Sequence, residues 1–151
     1  MEFLKLNEPK NIAQNKKLIA KIEYFGKLIN ELKKREIDSS IVSYVNKEIE
    51  KTNIFSGSDR ALLKQIKKSI SSILKLLETE LQLVINHHYQ NTWMAYGMLG
   101  GVLFSTIFSQ LGVSETWTTM GMGISMGMIF GMMAGKNRDK KAKQMGLQLN
   151  L

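Results

Sequence analysis

Cysteine is absent from the 151 residues, and proline occurs once, at Pro9. Without thiols the chain can form no disulfide, no Cys-ligated zinc site, no iron–sulfur cluster and no thiol nucleophile. This fits a reducing compartment. Histidine is also scarce, limited to the neighbours His87 and His88. Adjacent helical residues point about 100° apart, so one metal ion cannot easily use both. They read as boundary residues beside an apolar segment rather than as a pH sensor or a metal pair. No Walker loop, nucleophile elbow, HExxH or convincing carboxylate pair occurs. The sequence therefore points to no catalytic residue, no cofactor and no metal site.

Charge is missing from one region only. Mean hydropathy is near zero, but polarity is segregated along the chain. Residues 1–92 hold 16 Lys/Arg against 11 Asp/Glu, whereas residues 93–135 hold a single charged group, Glu115. Residues 136–151 hold five Lys/Arg against Asp139. Three regions follow: a basic helical region (1–92), an apolar pair of segments (93–135) and a basic tail (136–151). The opening residues, MEFLKLNEPKN, carry no apolar core of signal-peptide length and no small-residue cleavage site. Any membrane insertion is then expected to rest on an internal segment.

The basic region reads as helical. Leu18, Ile22, Phe25, Ile29 and Leu32 recur at three- and four-residue spacing within Asn11–Glu36. Gly26 weakens this helix without breaking its period. Asp38, Ser39 and Ser40 offer N-caps to a second helix, with Ile41, Val45 and Ile49 on one face, ending near Lys51. The stretch 52–58 connects it to a third helix, with Ser58 as its cap. There Leu63, Ile66, Ile70, Ile73, Leu77, Leu81 and Val84 form a near-heptad seam, expected to pair with another copy or another protein. No proline or glycine lies between Ser58 and Tyr96, so this helix is expected to run unbroken into the apolar region. The Lys-rich positions between the apolar ones read as solvated faces.

Residues 93–111 are uncharged, as are residues 116–135. The first stretch is about 28 Å long as a helix, close to a bilayer's hydrocarbon core. Only Gly112–Glu115 separates the two, which dictates an antiparallel hairpin. Trp93, Tyr96 and Trp117 lie near the segment ends, where amphipathic rings favour the headgroup level. Lys136, Arg138, Lys140 and Lys141 follow the second segment at once, while the connecting turn offers only Glu115. Positive-inside asymmetry places both termini in the cytoplasm and the protein in the cytoplasmic (inner) membrane. The expected class is all-α: a cytoplasmic helical hairpin or three-helix bundle plus a two-helix transmembrane hairpin.

Small residues supply the most specific pattern. Gly123, Gly127, Gly131 and Gly135 recur every fourth residue, as do Gly97, Gly101, Ser105 and Ser109. Each series forms a groove along one helix face that lets two backbones approach closely. In water each glycine would weaken a helix by about 1 kcal/mol relative to alanine. Such a pattern needs close packing to offset that cost. On these residues, and on the basic run from Lys136 to Lys143, the stretch 93–146 resembles the small, largely uncharacterised bacterial membrane proteins called glycine-zipper proteins. This chain uses Met where such segments commonly use Ala or Ile. The resemblance implies membrane location and helix packing, but no activity.

Six of the ten methionines fall between Met120 and Met133. Thioethers suit Cu(I), but Met is also an adaptable filler against glycine grooves and lipid, and that reading is preferred. Glu115 reads as a turn residue. Three functional readings remain. The first is a membrane-anchored interaction or scaffold subunit, with the bilayer, itself and another membrane or cytoplasmic protein as partners. The second is an oligomeric pore-former, holin-like, toxin or channel, suggested by the polar stripe Ser105, Thr106, Ser109 and Gln110. The third is a soluble helical protein whose glycine-rich hairpin inserts into a membrane only conditionally. Nucleic acid is disfavoured as a partner, because no aromatics interleave with the cations.

Overall fold

The computed structural model describes residues 2–7, 15–110 and 116–151, the side chains of 116–119 excepted. The turn Gly112–Glu115 and Pro9 lie outside the described residues, and so does the side chain of Trp117. The fold is all-α. Its five helices are α1 (Lys16–Lys33), α2 (Ser39–Asn53), α3 (Asp59–Leu81), α4 (His88–Gln110) and α5 (Thr116–Gln144). Two-residue strands, β1 (Val84–Ile85) and β2 (Gln148–Leu149), pair with each other. The chain divides into two compact units, Met1–Val84 with Leu149–Leu151, and Ile85–Gln148.

In the first unit the apolar faces of three helices meet. Leu18, Phe25 and Leu32 of α1, Val45 and Ile49 of α2, and Ile66, Ile73 and Leu77 of α3 are essentially excluded from solvent. Leu28 joins them on α1, one step from the periodic positions. Caps fix the helix starts. The Asn15 side chain accepts from the Leu18 amide at 3.3 Å, and Asp38 accepts from the Ser40 amide at 2.8 Å. Ser58 precedes α3 but makes no side-chain cap bond.

The seam on α3 is therefore not open. Ile66, Ile70, Ile73 and Leu77 are buried in this unit's own core and Val84 is buried in β1, while Leu63 and Leu81 are half-buried. The heptad-like spacing served an intramolecular contact, because two neighbouring helices supply the apolar surface a partner would have supplied. Nor does α3 continue into α4. It stops at Leu81, and Gln82 takes a left-handed conformation (φ 55°). The Gln82 and Leu83 amides both donate to the Leu77 carbonyl, the latter at 3.1 Å. His87, also left-handed (φ 60°), completes the break before α4.

One polar cluster is built into this unit. Glu48 is buried on α2, with the Lys51 ammonium 2.5 Å away and the Ser69 hydroxyl bonded to it from α3. Burial pushes the Glu48 pKa up, but the bonds from Lys51 and Ser69 and the charges of Lys51 and Lys68 outweigh burial, leaving it below its ordinary value. A second polar device holds the N-terminal segment. Asn46 and Asn53, two helical turns apart on α2, each use one amide group to accept a backbone N–H and donate to a backbone carbonyl. Asn46 engages Leu4 (2.8 Å) and Glu2 (2.9 Å), and Asn53 engages Asn7 (2.8 Å) and Lys5 (3.0 Å). Backbone groups that an extended segment leaves open are satisfied in this way.

The second unit is the α4–α5 hairpin. Residues 136–144 are not a separate tail but the last two turns of α5. That helix ends at Gly146 (φ 71°), whose amide donates to the Lys143 carbonyl while Leu147 donates to Ala142. This is the glycine-terminated helix end in which only a residue without Cβ turns left-handed at no cost. Among the described residues no helix is long and apolar enough to cross a membrane. The expectation of two spanning helices is thus not met by either helix taken singly, because glycine, serine and threonine dilute the apolarity of each.

Candidate functional site

The hairpin is the feature with most to explain, and its seam is made of backbone. A Cβ on Gly97 would overlap the Gly127 carbonyl and lie 3.1 Å from the Gly131 Cα. One on Gly127 would overlap the Gly97 carbonyl and lie 3.2 Å from the Gly101 Cα. Gly101 opposes Gly123 in the same manner, Gly131 opposes the Trp93 carbonyl, and Gly135 lies against Tyr89 and Gln90. The two small-residue series thus face each other in antiparallel register. Ser105 continues the α4 series. It is fully buried against Gly123, and its hydroxyl donates to the Gly101 carbonyl at 2.7 Å. Ser109, the last of that series, is half-buried.

Glycines outside the two series behave differently. A Cβ on Gly100 or Gly121 would meet nothing within 4 Å. Close approach therefore explains Gly97, Gly101, Gly123, Gly127, Gly131 and Gly135, and leaves Gly100 unexplained by any contact within the chain.

A carboxylate closes the open end of the hairpin. Asp139 of α5 is buried, and its two oxygens accept from the Tyr89 amide (3.0 Å) and the Gln90 amide (2.9 Å). These lie in the first turn of α4, where backbone N–H groups lack helical partners and the helix dipole favours negative charge. A residue that reads as one acid among basic neighbours is thus an N-cap supplied from 50 residues away. No local pattern signals it. Beside it, Arg138 stacks over the Trp93 ring, with the guanidinium carbon 4.6 Å from the ring centroid. Lys136, Lys140 and Lys141 are exposed on the same last turns.

No family model, curated protein or solved structure matches this chain.

The hairpin turns its large side chains outward. Leu99, Leu103 and Ile107 on α4, and Met126, Ile129 and Phe130 on α5, are each more than half exposed. Tyr96 is exposed and Trp93 half-exposed. Small inside and large outside reverses the order of a water-exposed helical pair. The hydroxyls offered as a polar stripe are engaged by their own helix: Ser105 donates to Gly101 and Thr106 to Leu103, at 2.8 Å. No group of three His, Asp or Glu suited to a metal ion forms among the described residues.

Proposed function

We propose that this chain is a non-enzymatic, membrane-anchored interaction protein whose α4–α5 hairpin enters the bilayer as a paired unit. One observation carries the reading. Six glycines and Ser105, which lower the apolarity of each helix, line the seam between the helices, and the large side chains left outside are Leu, Ile, Phe and Met, with Gly100, Thr106, Gly121 and Ser125 exposed among them. A bilayer meets the pair and not the single helix. The relevant quantity is therefore the apolarity of the pair's exterior, which exceeds that of either helix averaged over its whole circumference. In water this exterior would be a contiguous exposed apolar patch of the kind that marks a lipid or protein contact. Backbone groups along the seam are satisfied within their helices, as a hydrocarbon environment demands.

The ends support the same placement. Trp93 and Tyr96 lie at the end of α4 that pairs with the cationic turns of α5, a combination suited to a headgroup layer. On this reading the basic end, and with it both termini, faces the cytoplasm at an inner membrane. Interaction with a partner falls to the three-helix unit. The core of its α3 seam is buried, and the large apolar side chains it exposes among the described residues are Leu4, Tyr44, Ile54 and Phe55, the last two where α2 gives way to α3. The resemblance of residues 93–146 to glycine-zipper proteins is consistent with this reading.

Fractionation with alkaline carbonate tests it, combined with protease access to tags at each terminus and at residue 113. Retention in the membrane pellet, with only the 113 tag reached from outside, is the expected result. Release by carbonate would refute the anchor.

A further inference from the structure

A slot runs along one side of the hairpin seam, with a volume of about 770 Å³. Its floor is the glycine seam. One wall is the α4 row Tyr96, Gly100, Phe104 and Phe108, and the other is the α5 row Met122, Met126, Phe130 and Ala134. From Trp93 to Phe108 the slot is about 22 Å long at helical rise. A helix of a second copy inserted in the same direction would bring its own cationic end against Lys136, Arg138, Lys140 and Lys141. An extended peptide does not suit the chemistry of the slot. Among the described residues Ser105 is the only hydroxyl along the slot beyond Tyr96, and it already donates to Gly101. A peptide strand would leave its N–H and C=O groups without partners. A hydrocarbon chain has no such need.

The end of the slot specifies the rest of the occupant. The α5 wall advances in steps of four, 122, 126, 130 and 134, and the next member of the row is Arg138. Its guanidinium lies over Trp93, which itself lines the slot. Among the described residues no carboxylate forms an ion pair with Arg138, and the stacked guanidinium keeps its in-plane donors available for a phosphate fork. Tyr96 and Trp93 add polar tips at the same end. Gly100 now acquires a reason. It interrupts the α4 wall where no intramolecular contact requires a missing side chain, and it deepens the slot midway along its length.

We infer that this slot binds one acyl chain of an anionic glycerophospholipid, with the lipid phosphate on Arg138. The inference rests on the membrane reading above and adds a lipid selectivity to it. The test uses the full chain carrying Trp117→Phe, so that Trp93 alone fluoresces. It is reconstituted in phosphatidylcholine vesicles containing one quarter phosphatidylglycerol, with bromine on the acyl chains of either lipid in turn. At equal mole fraction, brominated phosphatidylglycerol should occupy the site about five-fold more than brominated phosphatidylcholine, the effect of one cation at a membrane surface. Arg138→Gln should lower that preference more than Lys140→Gln does, because Lys136, Lys140 and Lys141 stand on the same last turns and attract anionic lipid without reaching the slot. Gly100→Leu should weaken Trp93 quenching by both lipids, with the protein still floating with the vesicles. Equal quenching by the two lipids in a floating protein, or a preference that Arg138→Gln lowers no more than Lys140→Gln does, overturns the lipid site and leaves the anchor standing. A protein that does not float with vesicles overturns both.

Discussion

Replacing Gly127 with alanine and, separately, Gly100 with alanine makes the same chemical change at two helical glycines of one hairpin, and the structure assigns the two opposite signs. Helix propensity favours alanine at either site by about 1 kcal/mol. At Gly100 nothing stands within 4 Å of the new methyl group, so that gain is kept. At Gly127 the methyl overlaps the Gly97 carbonyl oxygen and lies 3.2 Å from the Gly101 Cα. Both are helix backbone, which cannot rotate away as a side chain can. Relief requires moving α4 and α5 apart, which also loosens the seam at Gly123 and Gly131. Overpacking costs about 1–3 kcal/mol, and an obstacle made of backbone lies at the upper end of that range. Gly127→Ala should therefore lose about 2 kcal/mol net, and the two variants should differ by about 3 kcal/mol. Unfolding by sodium dodecyl sulfate of the full chain in mild-detergent micelles, read by Trp93 emission in a Trp117→Phe background, measures the difference. Leucine at Gly127 or Gly131 should be worse, while Met128→Leu and Met132→Leu, at half-buried positions of conserved volume, should cost less than about 1.5 kcal/mol. A Gly127→Ala variant as stable as Gly100→Ala would refute the backbone contact.

Three further outcomes follow from the same geometry. Asp139→Ala should cost about 1–3 kcal/mol by leaving the Tyr89 and Gln90 amides without their carboxylate, and those two amides should exchange with deuterium markedly faster. Glu48 has a folded pKa below its ordinary value of 4.5, so it stabilises the first unit above that pH, and the contribution fades as pH falls from about 4.5 through the lowered value. Acid titration followed by circular dichroism should show this loss, and Glu48→Gln should flatten that part of the profile. Gln82→Gly should stabilise the chain by about 1 kcal/mol, because a left-handed residue ending α3 is relieved of its Cβ clash, and thermal unfolding reads the gain.

Much of the helical content is legible in spacing alone. The apolar positions at three- and four-residue intervals in residues 16–81 are the buried ones, because a helix places such residues on one face and any folded arrangement must cover that face. What covers it is not local information. The α3 row from Leu63 to Val84 looks the same whether it meets a partner or meets α1 and α2, and only the tertiary arrangement shows that its core positions are enclosed. The break after Leu81 escapes notice for a related reason. Gln82 is not a residue type that announces a left-handed turn, and Gln82 and His87 hold that conformation on either side of β1, which pairs with β2.

In the hairpin the division is sharper. Four-residue spacing of glycine and serine by itself determined that α4 and α5 each carry a stripe of small residues, since helical geometry fixes which positions share a face. The tertiary structure alone decided that the two stripes meet each other, with Gly97, Gly101, Gly123, Gly127 and Gly131 in one antiparallel seam, and so leave Leu, Ile, Phe and Met outside. It also decided the part played by Asp139, because a carboxylate caps whichever helix end the fold brings within 3 Å, and that distance depends on the pairing of chain segments 50 residues apart. Local periodicity states which surfaces must be covered, and only the assembled chain states which atoms cover them.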